Sequence, residues 1–92
     1  MNIELFISKK GLPVFACHGQ FDKEISQVVV TERTGQLFII FKPDLEVRFM
    51  NCTIEPELCK KLKNQLFCSL GYFEGKKMVA AEYARFMVRP EN

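Results

Sequence analysis

The chain lacks the segments that direct a protein to a membrane or mark a common enzyme class. Its 92 residues contain no apolar run close to the ~20 residues that span a bilayer. Glu4 interrupts the apolar N-terminal stretch, and no small-residue cleavage site follows it, so we expect no signal peptide. A Gly-rich phosphate loop and a Ser-centred nucleophile motif are also missing. These absences favour a cytoplasmic protein with no membrane contact, and they leave an enzymatic activity without a sequence signature.

Metal and redox motifs are missing too. Cys17, Cys52, Cys59 and Cys68 include no C-x-x-C pair, and His18 is the only histidine, which is too few ligands for a common Cys/His zinc site. Cys17 and His18 are adjacent, but neighbouring side chains of a strand point to opposite faces and cannot form a nucleophile–base pair. We therefore predict reduced cysteines, no metal, no cofactor and no catalytic residue.

What is present is the composition of a single globular domain. Apolar residues make up 48% of the chain and charged residues 26%. A chain of this length is expected to bury about 64% of its unfolded surface, which suffices for one core without a metal or a disulfide. We therefore expect residues 1–92 to form one domain.

Strand-like segments dominate the first half of the chain. The segment Ile25–Arg33 is rich in β-branched residues, and Thr34-Gly35 stands where a hairpin turn would connect it to the next run. A third run, 45–50, alternates apolar and mostly polar residues with the period of a strand. Together these runs predict an antiparallel meander over 25–52.

One helix is predicted over about 56–70. Pro56 suits the first helical position and Gly71 the residue just after the end, while leucines four residues apart form an apolar stripe. On this helix Cys68 would lie on the exposed side. Residues 78–88 fit either a strand, which is slightly favoured, or a second helix. The expected fold class is α+β, with an antiparallel sheet of five to six strands and the helix packed on one face.

One fully apolar run motivates the leading functional prediction. A single helix cannot cover a whole sheet face, so an apolar run without a polar side is expected to meet another chain. We predict a non-enzymatic interaction module that forms a homodimer through its sheet, or binds another protein there. The predicted self-association residues are Leu37, Phe38, Ile39, Ile40 and Phe41.

Two alternatives remain open from the sequence. The first is nucleic-acid binding, because residues 47–92 carry a net charge of +3 while residues 1–46 carry −1. Phosphate binding of this kind would weaken steeply with salt. The residues that would contact phosphates are Lys60, Lys61, Lys63, Lys76 and Lys77. The second alternative is a small-molecule binder or enzyme whose site forms between subunits.

Two short segments resemble parts of known families. The segment Thr34–Phe41 partly resembles the octapeptide signature of RNA-recognition motifs, with matches at Gly35, Phe38, Ile39 and Phe41. Stacking on RNA would require exposed aromatic side chains on the sheet. That family places a helix between its first two strands, whereas the sequence here predicts none before Ile40.

The second resemblance is to the closing strand of hot-dog thioesterases and dehydratases. It covers residues 75–90, which include Val79-Ala80-Ala81-Glu82. That family places its helix before most of its strands, whereas the predicted helix here follows most of them. No acidic or histidine motif stands at a matching position, so neither resemblance assigns the chain to a family.

Overall fold

Strands make up most of the fold. The computed structural model describes residues 2–90, apart from the side chains of Ala80 and Ala81. Over these residues it contains seven strands and one short helix, α1 (Pro56–Leu62). The strands are β1 (Ile3–Ile7), β2 (Pro13–Cys17), β3 (Ile25–Thr31), β4 (Gln36–Phe41), β5 (Glu46–Thr53), β6 (Phe67–Glu74) and β7 (Lys77–Arg89).

All seven strands belong to one mixed sheet, in the order β1-β2-β6-β7-β3-β4-β5. The neighbours β2 and β6 are parallel, as are β3 and β7, and the remaining pairs are antiparallel. The hairpin formed by β6 and β7 is thus inserted between the N-terminal hairpin and the β3–β5 strands. The sheet curls until Asn2 and Asn51 form a bridge beside its two edge strands, which gives a curled half-barrel.

The predicted α+β fold with an antiparallel sheet of five to six strands and a helix across one face is wrong. The sheet is mixed, and its curvature lets its inward side chains enclose most of the core without a covering helical layer. Residues 78–88 lie within β7, so a second helix does not form there.

The helix predicted over 56–70 ends at Leu62 because the next segment is recruited into the sheet. Residues from Phe67 onward form β6, which pairs with β2 on one side and β7 on the other. Two ladders of backbone hydrogen bonds outweigh a helix propensity of a few tenths of a kcal/mol per residue. As a result Cys68 is buried and not exposed, and Leu66 lies outside the helix.

The core lies on the concave side of the sheet. Alternate residues of the strands point inward there, and Cys59 and Leu62 of α1 complete the cluster. The largest fully buried core side chains of the strands are Phe15, Phe41, Leu37, Ile39, Val28 and Val30. No buried side-chain nitrogen or oxygen among the described residues lacks a hydrogen-bond partner.

Gly35 ties the β3–β4 turn to the segment that leads into α1. Its φ is +67°, in the left-handed region that glycine adopts without steric cost. Its carbonyl oxygen accepts a hydrogen bond of 2.8 Å from the backbone N–H of Ile54. A Cβ at this position would collide with the carbonyl oxygen of Ile54, so only glycine fits this turn.

Candidate functional site

β5 turns its apolar side to solvent. Leu45, in the preceding turn, and Val47 and Phe49 on the strand are 63%, 49% and 71% exposed. The alternate residues point inward: Met50 joins the core, and the Arg48 guanidinium lies 4.5 Å from the centre of the buried Phe41 ring. A strand with one solvated face ordinarily buries its apolar side. In β5 this arrangement is reversed.

The exposed residues of β5 continue an apolar surface across the outer side of the sheet. Directly opposed residues of neighbouring strands share a face, and Phe49 opposes Phe38 while Val47 opposes Ile40. The Phe38 and Phe49 rings lie 5.6 Å apart. The row of Phe49 and Phe38 continues to Val29 of β3 and Met87 of β7. We call this surface the outer apolar patch; its residues are Val29, Phe38, Ile40, Val47, Phe49 and Met87. Val47, Phe49 and Met87 supply its exposed area, whereas Val29 and Phe38 lie beneath their neighbours and are buried.

The structure divides the run predicted for self-association between two faces. Leu37, Ile39 and Phe41 point into the core and are fully buried, so they offer no surface to a second chain. Phe38 and Ile40 point outward and belong to the outer apolar patch, where Ile40 is partly exposed and Phe38 is only 7% exposed. Burial of Phe41 also removes one of the aromatic rings that an RNA-recognition surface would expose.

The five predicted phosphate-binding lysines do not form one patch. Three belong to α1 or its C-terminal end, and two lie at the tip of the β6–β7 hairpin. The eight-residue strand β6 separates the two groups by about 26 Å. The ammonium group of Lys63 is also paired with Glu32 at 3.0 Å. In sequence order the five are Lys60, Lys61, Lys63, Lys76 and Lys77.

A cavity opens at the end of β2, where the connection to β3 crosses the mouth of the half-barrel. Its volume is about 470 Å³. Cys17 and Leu70 of the core form part of its floor, and the partly buried side chains of Phe21 and Tyr72 also line it. We call it the mouth cavity; its lining residues are Cys17, Gly19, Gln20, Phe21, Asp22, Lys23, Glu24, Ile25, Leu70, Gly71, Tyr72 and Glu82.

A network of ion pairs fastens the β2–β3 connection to β5. Arg48 donates to both carboxylate oxygens of Asp22, at 2.8 and 3.3 Å, and from Nε to Glu46 at 2.6 Å. Lys23 donates to Glu46 at 2.7 Å and to Asp44 at 3.0 Å. We call these five residues the mouth network. They explain why β5 turns Glu46 and Arg48 inward, since both find partners at the mouth.

The mouth network lowers the pKa of its carboxyl groups. Hydrogen bonds from Arg48 and Lys23 lower the pKa of Glu46 to about 2. A hydrogen bond from Arg48 lowers the pKa of Asp22, and one from Lys23 lowers that of Asp44. The network therefore stays fully ionised at neutral pH.

Sequence analysis missed this network. All three carboxylates and both cations are visible in the sequence, but Asp22 and Arg48 are 26 positions apart. No local pattern indicates that such distant residues meet.

The thiols lack the features of nucleophiles. Cys17 faces the core, and burial raises the pKa of its thiol to about 11. The neighbouring His18 points outward, where its Nε2 lies 2.6 Å from a carboxylate oxygen of Glu4. Burial likewise raises the pKa of Cys68 to about 12, and all four cysteines are free. Among the residues that the structure describes, no three His, Cys, Asp or Glu side chains cluster closely enough to hold a metal ion.

Comparison with known proteins finds no match to a family model, a curated protein or a solved structure. Over residues 2–90, no helix is long and apolar enough to cross a membrane.

Proposed function

We propose that this protein is a non-enzymatic interaction module that forms a homodimer through the outer apolar patch. The observation that carries the proposal is the reversed orientation of β5, which exposes Val47 and Phe49 and turns Glu46 and Arg48 inward. Exposing large apolar side chains in a contiguous patch is unfavourable for an isolated chain. A second copy seated on the patch removes that exposure.

The chemistry of the patch supports the same conclusion. Aromatic residues and methionine are enriched in protein interfaces, whereas Asp, Glu and Lys are depleted from them. The outer apolar patch contains two phenylalanines and a methionine, and Gln27 and Arg85 border it in the row of Val47 and Ile40. Two-fold association places the same patch on both copies, so one apolar surface suffices to bury itself.

We also propose that the homodimer resides in the cytoplasm. The support is the set of four free cysteines, which a reducing compartment preserves.

Sedimentation equilibrium at micromolar concentrations tests the dimer with two charge substitutions. Phe49→Glu places a carboxylate inside the proposed interface, and we expect the dimer dissociation constant to rise at least about 100-fold. Leu66→Glu is the matched control, because Leu66 is as exposed as Phe49, at 70% against 71%, but lies outside the patch. We expect this variant to remain dimeric.

Two results would contradict the dimer. One is a monomeric wild-type protein throughout the micromolar range. The other is dissociation by Leu66→Glu that equals dissociation by Phe49→Glu. Circular dichroism spectra of both variants establish that each retains the strand content of the wild-type protein.

A further inference from the structure

We propose that the mouth cavity binds a small organic cation with an apolar body, such as an arylalkyl amine. Its volume of about 470 Å³ falls within the roughly 300–1,000 Å³ of small-molecule sites. This size exceeds the need of a bare ion, and the site is complete within one chain. The proposal is independent of the dimer, because the cavity and the outer apolar patch have no residue in common.

The floor of the cavity suits an apolar group. Cys17 and Leu70 are buried members of the core, and Phe21 and Ile25 pack against it. Burial keeps the Cys17 thiol neutral, since its pKa is raised to about 11. An aromatic or short aliphatic body seated here would lose water contact without burying a charge, which favours binding.

The rim of the cavity favours a positive charge. Lys23, the one cation among the lining residues that the structure describes, is already bound by Glu46 and Asp44, at 2.7 and 3.0 Å. The carboxylate of Asp22 is likewise held by Arg48. Two other lining carboxylates, those of Glu24 and Glu82, have no ion-pair partner among the described residues. They are therefore available to a ligand.

Two further features favour an ordered complex. Tyr72 forms part of the lining, and the face of an aromatic ring attracts a nearby ammonium group. The mouth network also holds the β2–β3 connection against β5 through Asp22 and Lys23. A cavity whose wall is already fixed loses less conformational entropy when a ligand binds.

Titration of the full-length protein in ¹H–¹⁵N spectra at low ionic strength tests the proposal. The probes are 2-phenylethylamine, the neutral 2-phenylethanol and the anionic 3-phenylpropionate, which have similar apolar bodies and different charges. We expect the amine to cause saturable shifts at the backbone amides of Gly19, Leu70 and Gly71. The alcohol should bind more weakly, and the carboxylate should not bind.

Two double variants, each lacking two carboxylates, show whether the rim of the cavity causes the preference for the amine over the carboxylate probe. The double variant Glu24→Gln, Glu82→Gln is expected to weaken amine binding about tenfold, because it removes both unpaired carboxylates from the lining of the cavity. The control Glu55→Gln, Glu57→Gln makes the same charge change at α1, away from the cavity. It should bind the amine as the wild-type protein does.

Several outcomes would overturn the proposal. They are the absence of saturable shifts with the amine, equal binding of the carboxylate probe, or equal weakening in the rim and control variants. Repeating the titration with Phe49→Glu separates the two proposals. If the monomeric variant still binds the amine, the cavity proposal is supported whether or not the wild-type protein forms a dimer.

Discussion

Gly35 and Gly75 adopt nearly the same left-handed backbone, with φ of +67° and +66°, in different surroundings. A Cβ on Gly75 would meet nothing within 4 Å, whereas one on Gly35 would collide with the backbone of Ile54. The cost of alanine at Gly75 is therefore the backbone strain alone. At Gly35 the steric collision is added to that strain.

We expect Gly75→Ala to lower the free energy of unfolding by about 1 kcal/mol, and Gly35→Ala to lower it by at least about 3 kcal/mol. Urea denaturation followed by circular dichroism measures both. Equal losses in the two variants would contradict the close approach of Ile54 to Gly35.

Thiol reactivity provides a second test at the residue scale. Cys17, Cys59 and Cys68 are buried, whereas Cys52 is only partly buried. Burial also raises the pKa of each thiol, so little thiolate forms near neutral pH. Iodoacetamide followed by peptide mass spectrometry should modify Cys52 first in the native protein. All four thiols should react at similar rates in denaturant, and rapid native labelling of Cys17 would be inconsistent with its burial.

At the residue scale, the sequence indicates a residue's position where that position depends on the residue's own backbone preference. Pro56 begins α1, and Gly35 stands in the turn between β3 and β4, because each residue's own backbone preference selects that position. Cys68 shows where such reasoning fails. Its place in a leucine-rich pattern predicted an exposed helical position, but pairing with distant strands placed it inside the sheet.

At the scale of the element, β5 shows that alternation does not determine which side faces inward. The period of Val47 and Phe49 against Glu46 and Arg48 is visible in the sequence and is that of a strand. Partners supplied by the β2–β3 connection draw the charged side inward. The outer apolar patch could therefore not be located from sequence, although two of its residues, Phe38 and Ile40, lie in the run predicted for self-association.

The mouth network predicts a dependence of stability on acid. The pKa of Glu46 is about 2 in the folded protein against an ordinary value of 4.5. A carboxyl group whose pKa is lower in the folded state stabilises the fold above its unfolded pKa, and this contribution is lost as the pH falls through that interval. We expect the melting temperature to fall between pH 4.5 and about 2.

Glu46→Gln should reduce this dependence, because glutamine does not titrate. The matched variant Glu57→Gln removes a carboxylate that lies on α1, outside the network. It should retain the wild-type dependence. Thermal melts across the pH series compare the three proteins, and indistinguishable profiles would contradict the role of the network.

At the scale of the whole molecule, the sheet depends on pairings between distant parts of the chain. Phe15 is paired with Leu70 and Val28 with Phe86, so these partners are more than fifty residues apart. Sequence patterns identify strands but not their distant neighbours, which is why the parallel pairs were not predicted. A sheet that is closed by such contacts also has a high contact order.

We therefore expect refolding in roughly milliseconds to seconds, as in other small domains dominated by non-local contacts. Stopped-flow circular dichroism after dilution from urea measures the rate. Complete refolding within microseconds would contradict the observed topology.

The insertion of the β6–β7 hairpin into the middle of the sheet has a consequence for synthesis on the ribosome. The N-terminal hairpin and the β3–β5 strands emerge first, and each leaves an edge that only the later hairpin will cover. Until β6 and β7 leave the exit tunnel, the nascent chain carries two open strand edges that other chains can join. The emergence of β6 and β7 thus completes the sheet and also ends its exposure to misassembly.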